Sequence, residues 1–196
     1  GYDPLRDIQV ITPAKQGPLG TRELNRLLQN KLNPPMKGKS EAVLMGRTLR
    51  EGDKVMQVRN NYDIVWQQPD GTAGTGIFNG DMGMIEMLDN GSKTIQVRFE
   101  DKLATYSFEN QDQLEHAYAV TVHKSQGSEF EAVVMPLERR HPRLHYRNLL
   151  YTAVTRARRL LIMTGQKETV YAMVQNDRRT LRYTNQKEML REMVEE

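Results

Sequence analysis

The stretch from Ala117 to Met135 constrains the fold most. Apolar residues (Ala117, Ala119, Val120, Val122) run straight into a hydroxyl, an imidazole, an ammonium, an amide and a glycine in Thr121-Val-His-Lys-Ser-Gln-Gly-Ser-Glu-Phe130. The chain then turns apolar again at Ala132-Val-Val-Met135. A continuous apolar run bounded by turn-forming residues reads as a buried strand, and buried strands carrying polar loops off their ends belong to open α/β sheets, which bind ligands there. A second segment, Leu150-Tyr-Thr-Ala-Val-Thr-Arg-Ala-Arg-Arg159, sets Arg156 among small residues and threonines before another apolar run, Leu160-Leu-Ile-Met163. An arginine held on small, rigid neighbours is what an enzyme needs to place a guanidinium on a transferring phosphate.

The rest of the chain divides by rhythm. Ile8-Gln-Val-Ile11 reads as a short buried strand stopped by Thr12-Pro13. Thr21 is then expected as the N-cap of a helix that carries Leu24, Leu27, Leu28 and Leu32 at helical spacing and ends before Asn33-Pro-Pro35. From Leu49 to Leu114 short strands are punctuated by Asp70-Gly71, Asn79-Gly80 and Asn90-Gly91, all hairpin-turn signals, and the pattern predicts a small barrel. After Glu115 the α/β character returns. Strands are expected at 117–122, 132–136 and 160–164, with helices at 145–155 and 167–175. Beyond Asp177 the sequence is polar, with Leu181, Met189, Leu190 and Met193 as its few apolar anchors, and predicts a detached or fraying helix.

Composition narrows the function classes without choosing one. The formal charge of +3 permits nucleic-acid binding without requiring it. The absence of cysteine excludes a disulfide framework and thiolate metal sites, and four histidines without paired carboxylate spacing make a zinc site improbable. No apolar run approaches the roughly 20 residues of a membrane span, and Gly1-Tyr-Asp-Pro4 does not open a signal peptide, so the expected location is cytoplasmic. A start without methionine fits a piece of a longer chain.

The two diagnostic segments resemble helicase motifs V and VI of superfamily-1 helicases, in the RecD-like branch. Asp7-Ile-Gln-Val-Ile-Thr-Pro13, with Gly17-Pro-Leu-Gly20 and Leu24-Asn-Arg-Leu-Leu-Gln29, resembles motif IV and its helix, and Gly52-Asp-Lys-Val-Met-Gln-Val-Arg-Asn-Asn61 is similar to the same branch. No G-x-x-x-x-G-K-[ST] phosphate loop occurs in the chain, so the resemblance is to the C-terminal half of a motor. It implies an α/β fold: a RecA-like parallel-sheet motor domain from residues 1–46 plus 115–175, a small SH3-like β-barrel inserted at 47–114, and a polar tail at 176–196.

The resemblance also implies an ATP-dependent DNA helicase moving 5′ to 3′ on single-stranded DNA and acting at duplex junctions. Its ATP and Mg2+ would be held mainly by an N-terminal motor domain outside this chain. By resemblance Arg156 is the arginine finger, with a structural salt bridge as the alternative role. Lys15 stands where the family commonly has a nucleotide-contacting arginine; it keeps the charge and loses the bidentate fork. Gly127 permits close backbone approach to a ligand, and Glu129 resembles a carboxylate near the ribose. Thr12, Thr121, His123, Lys124, Ser125 and Gln126 fall on the DNA side, as do Asn60 and Asn61 in the barrel. Trp66 and Phe78 are candidates either for the barrel core or for base stacking. Arg139, Arg140, Arg143 and Arg147, with His141 and His145, form the densest basic cluster and read as a solvated loop or a phosphate contact. Two other functions share these motifs: the helicase part of a conjugative relaxase, and a non-catalytic nucleic-acid-binding module.

Overall fold

The computed structural model describes residues 1–138 and 144–177. In chain order the first elements are β1 (Ile8–Thr12), α1 (Thr21–Leu32), a hairpin of β2 (Glu41–Leu44) and β3 (Arg47–Arg50), β4 (Lys54–Gln57), β5 (Asn61–Gln67) and β6 (Ala73–Ile77). Then come β7 (Met82–Asp89), β8 (Thr94–Phe99), β9 (Lys102–Ser107), a short 3-10 helix (Phe108–Gln113) and β10 (Leu114–His116). The chain closes with β11 (Ala119–Thr121), β12 (Phe130–Leu137), α2 (Arg147–Val154), β13 (Ala157–Gly165) and α3 (Lys167–Gln175).

Among the described residues the strands form two large sheets and the β2–β3 hairpin. The first is parallel, in the order β11-β1-β12-β13, with Val10 level with both Ala119 and Val134. Its strands bury Ile11, Val120, Val133 and Met135, and α2 and α3 pack against them with Leu149, Leu150, Ala153 and Met173. The neighbours β1 and β11 are separated in sequence by the barrel, and β12 and β13 by α2, because parallel neighbours require a crossover. The second sheet is antiparallel, in the order β10-β4-β7-β8-β9-β5-β6, and wraps around Val55, Ile77, Ile85, Ile95, Val97 and Tyr106. The expected glycine turns join β5 to β6, β6 to β7 and β7 to β8; Gly71 and Gly80 adopt the left-handed conformation that favours glycine (φ 88° and 103°). The β2–β3 hairpin adds Ala42 and Leu49 to the same core, so residue 46 lies inside an element that packs with the barrel.

Several local expectations shift. Gly20, not Thr21, holds the N-cap position of α1, and no side chain caps the helix. A Cβ at Gly20 would sit 2.5 Å from the Gln16 carbonyl carbon, so the turn before the helix closes too tightly for a hydroxyl-bearing residue there. The buried side of α1 is polar. Leu27 and Leu32 are exposed, whereas Asn25 and Gln29 are buried. The reason is the backbone that α1 covers: Asn25 donates to the carbonyl of Ala119 (2.9 Å) and accepts from its N–H (2.8 Å), satisfying the chain where it enters β11. The sequence pattern does not by itself mark strands β2, β3, β5 and β10.

The barrel is docked onto the parallel sheet at a buried carboxylate. Asp53, fully buried between β3 and β4, accepts hydrogen bonds from Gln29 Nε2 (2.7 Å) and Asn33 Nδ2 (2.7 Å) at the α1 end, and from the Arg50 amide (2.8 Å). On the returning chain, Tyr118 Oη donates to it at 2.8 Å and His116 Nε2 lies 3.1 Å away. Met56 of β4 adds apolar contact by sitting in the core of the parallel sheet rather than that of the barrel. A buried side chain of that size contributes about 2 kcal/mol.

Candidate nucleotide and nucleic-acid site

The loop of residues 122–129 starts at the C-terminal end of β11 and finishes at the N-terminal end of β12. Because these strands are parallel, it must cross the length of the sheet. At one end Thr12 is level with Thr121; at the other Phe130 is level with Ala157. Turn bonds hold the loop: Ser125 N to Thr121 O (3.1 Å), Ser128 N to Ser125 O (3.1 Å) and Ser125 Oγ to Val122 O (2.8 Å). Thr121 Oγ1 accepts from Lys124 N at 3.3 Å. The hydroxyls of Thr121 and Ser125 are therefore buried and shape the turn, while His123, Gln126, Gly127 and Glu129 face outward. Lys124 is partly exposed and pairs with Glu115 at 2.6 Å. Gly127 has φ 87°, which glycine adopts freely, and open space where a Cβ would be.

Arg156 lies between α2 and β13, at the end of the sheet where this loop finishes. Its Nη1 donates to Ser128 O (3.1 Å), its Nε to Thr152 O (3.2 Å) and its Nη2 to Thr155 Oγ1 (3.2 Å). Phe130 N in turn donates to the Arg156 carbonyl at 2.9 Å. All three acceptors of the guanidinium are neutral oxygens, so its charge is not neutralised by a carboxylate among the described residues. Its neighbours differ: Arg158 pairs with Glu129 (3.0 Å) and Arg159 with Glu131 (3.1 Å). Sequence reasoning missed Ser128, Thr152 and Thr155, because two of them act through backbone carbonyls that carry no residue-type signal.

The remaining candidates lie elsewhere. Thr12 ends β1 and Lys15 follows it, at the far end of the sheet from Arg156. Thr12 is buried and donates to Leu19 O at 2.6 Å. In the barrel, Asn60 bridges Asn79 N and Tyr62 Oη, and Asn61 holds Gln113 and the amides of Asp63 and Ile64, so both amides serve the local turn. Trp66 packs against the barrel core and over Gly74, with the Lys102 ammonium 4.9 Å from its ring centroid. Phe78 is exposed and meets Tyr62 edge to face at 5.6 Å. Of the basic cluster, residues 139–143 lie outside the described residues, as does the tail at 178–196; Arg147 donates to Val174 O at 2.6 Å and ties α2 to α3.

Among the described residues no group of three or more His, Cys, Asp or Glu side chains is placed to hold a metal ion, and no helix is long and apolar enough to cross a membrane. The unneutralised guanidinium fits an anionic phosphate; a divalent cation accompanying that phosphate would take its protein ligands from elsewhere.

A parallel sheet with an inserted antiparallel barrel, and an arginine at the end of the loop that crosses the sheet, is the architecture that the sequence led us to expect. Comparison with known proteins agrees. The family of the SH3 domain of ATP-dependent RecD-like DNA helicases matches residues 24–99, and that of the UvrD-like helicase C-terminal domain matches residues 116–164. The chain is 35% identical over 151 residues to the ATP-dependent RecD2 DNA helicase of Deinococcus radiodurans, covering 77% of this chain and 19% of that protein. It is 31% identical over 177 residues to an uncharacterized protein of Methanocaldococcus jannaschii (82% and 15%), and 24% identical over 167 residues to the RecBCD enzyme subunit RecD of Buchnera aphidicola (84% and 26%). The chain thus spans about a quarter or less of the length of these relatives. In fold it is similar to Pif1 helicases solved at forked double-stranded DNA (TM-score 0.55, 19% identity, 86% of this chain and 41% of that one). It is also similar to Bacteroides Pif1 bound to single-stranded DNA (TM-score 0.52, 16% identity, 83% and 42%). By sequence and domain order the chain belongs with the RecD-like superfamily-1 helicases, matching their C-terminal half.

Proposed function

We propose that this chain is the C-terminal half of an ATP-dependent DNA helicase and that Arg156 is its arginine finger. The observation that carries this is the guanidinium itself, held only by neutral oxygens at the end of the loop that crosses the sheet. A phosphate loop on a preceding motor domain would hold the nucleotide, and Mg2+ bound with ATP would neutralise phosphate charge there. Arg156 then reaches the γ-phosphate across the cleft, where such a residue is worth about 10³-fold or more in rate. His123 and Gln126 present an imidazole and an amide on the outer side of the loop, and Lys124 an ammonium held by Glu115, groups suited to sequence-independent contact with single-stranded DNA. Motion follows if nucleotide draws Arg156 from Ser128 O, because that bond ties the guanidinium to the loop that grips DNA. Polarity of 5′ to 3′ is proposed from the likeness to the RecD-like branch.

The test is ATP hydrolysis by the protein that carries this chain together with its phosphate-loop domain, with and without single-stranded DNA. Arg156→Ala should abolish DNA-stimulated turnover and leave DNA binding intact. Turnover unaffected by the substitution would remove the finger role, and a wild type without turnover would leave a nucleic-acid-binding module.

A further inference from the structure

The barrel carries the opposite charge to the sheet it is inserted in. Residues 47–114 contain seven Lys and Arg against eleven Asp and Glu, a formal −4, while residues 1–46 and 115–175 carry +3 and +4. A polyanion is drawn to the second group and repelled by the first. Two of the barrel's cations are also engaged: Arg59 pairs with Asp112 at 2.8 Å, and Lys102 lies over the Trp66 ring.

This acidic barrel holds an open groove of about 530 Å³. It forms where two strands part. β5 and β9 pair only at Trp66 with Ala104 and Gln67 with Leu103, although both strands continue. The next antiparallel pairs, Val65 with Thr105 and Ile64 with Tyr106, are not made, and all four residues line the groove. Gln67, Gln96 and Asn110 add amide groups, and Asp63 is the only charged residue in the lining. Strand edges that part over an amide-rich floor offer main-chain hydrogen bonding to an added extended segment, the geometry of β-augmentation. No cation in the lining is available to a phosphate.

We propose that the groove between β5 and β9 docks an extended, positively charged polypeptide segment, which lies along the unpaired part of β9 with a cationic side chain on Asp63. The partner is recognised by its backbone and its charge.

Trp66 is the single tryptophan of the chain and stands at the closed end of the groove, so it reports occupancy. The chain is titrated with an alternating Lys-Thr octapeptide, with the Glu-Thr counterpart and with oligothymidylate, following Trp66 fluorescence and the backbone amide shifts of residues 61–67 and 103–107. The Lys-Thr peptide is expected to saturate with Kd of about 1 mM or tighter, to shift those amides, and to weaken as salt rises. Asp63→Lys should weaken it by about fivefold while leaving the melting temperature unchanged. The proposal is overturned if the Lys-Thr peptide leaves these amides unmoved, if the Glu-Thr peptide binds equally well, or if oligothymidylate is the ligand that moves them.

Discussion

Arg156 Nη1 donates to the carbonyl of Ser128 at 3.1 Å, so the residue proposed to meet nucleotide is bonded to the far end of the loop proposed to meet DNA. The bond is a neutral acceptor's, strong enough to hold the side chain in one place and weak enough for a phosphate to displace it.

Thr155 fixes the other side of that guanidinium. Its hydroxyl accepts from Arg156 Nη2 (3.2 Å) and is itself placed by the Tyr151 and Thr152 carbonyls (3.0 and 3.1 Å). Thr155→Val keeps the shape and removes the acceptor. In the protein that carries the phosphate-loop domain, turnover should drop by about fivefold, with the KM for ATP little changed, because a net hydrogen bond of about 1 kcal/mol is lost from positioning. A KM that rises as much as kcat falls would assign Thr155 to nucleotide binding instead.

Asp53 anchors the barrel. Asp53→Ala leaves Gln29, Asn33, Tyr118, His116 and the Arg50 amide short of their shared acceptor, and should destabilise the chain by about 3–5 kcal/mol in urea unfolding. Burial works to raise the carboxyl's pKa, but His116, Asn33 and Tyr118 outweigh it and hold the group below its ordinary value. The folded state therefore binds this proton less tightly than the unfolded state. The contribution is full above the unfolded pKa of about 3.9 and is lost as pH falls below it. Stability of the wild type should fall more steeply from pH 5 to pH 2 than that of Asp53→Asn; parallel curves would show that the carboxylate charge contributes nothing.

Lys54 gives the opposite limb. It is buried on β4, with Nζ 3.4 Å from the Ile8 carbonyl, and burial lowers its pKa to about 8 against the partial support of Asp3 and Asp7. Between pH 8 and the unfolded value of about 10.4 the unfolded chain keeps a proton that the folded chain has released, so stability rises with pH there. From pH 7 to 9.5 the gain should be about 2 kcal/mol, and Lys54→Met should flatten it. The range stops below pH 10 because burial raises the Tyr106 and Tyr118 hydroxyls, whose contribution is lost once the unfolded tyrosines ionise. A wild-type curve as flat as that of the methionine variant would place Lys54 in contact with solvent.

What the sequence displayed follows from what each force writes into residue types. The strands of the parallel sheet were legible because burial on both faces demands unbroken apolar runs, as in Ala132-Val-Val-Met135. The barrel was legible through its Asp-Gly and Asn-Gly turns. β5 was not, because Asn61-Tyr-Asp-Ile-Val-Trp-Gln67 is exposed at most positions and reads as loop. The leucines of α1 misled for a related reason: the face that packs is chosen by the backbone beneath it, and Asn25 and Gln29 satisfy that backbone where leucine could not. At the site, residue types announced Arg156 and the outward groups of the loop. The carbonyls that hold Arg156 have no signature, and the internal use of Thr12, Thr121 and Ser125 hydroxyls is visible only in three dimensions.

Two glycines separate loop mechanics from stability. Gly127 and Gly165 both sit in the left-handed region, at φ 87° and 132°. A Cβ at Gly127 meets nothing within 4 Å, whereas at Gly165 it would lie 2.3 Å from the Leu137 carbonyl oxygen, where β12 and β13 end side by side. Gly165→Ala therefore adds a backbone clash to torsional strain and should cost on the order of 3 kcal/mol or more. Gly127→Ala meets only the strain, about 1–2 kcal/mol, and can relieve it by re-forming the loop. That relief moves Ser128 and the outward groups of His123 and Gln126, so oligothymidylate affinity should weaken several-fold while urea unfolding changes by no more than about 2 kcal/mol. Fluorescence anisotropy and urea melts on the two variants decide it. Unaltered DNA affinity in Gly127→Ala would show that the loop does not grip DNA, whatever the stability of either variant.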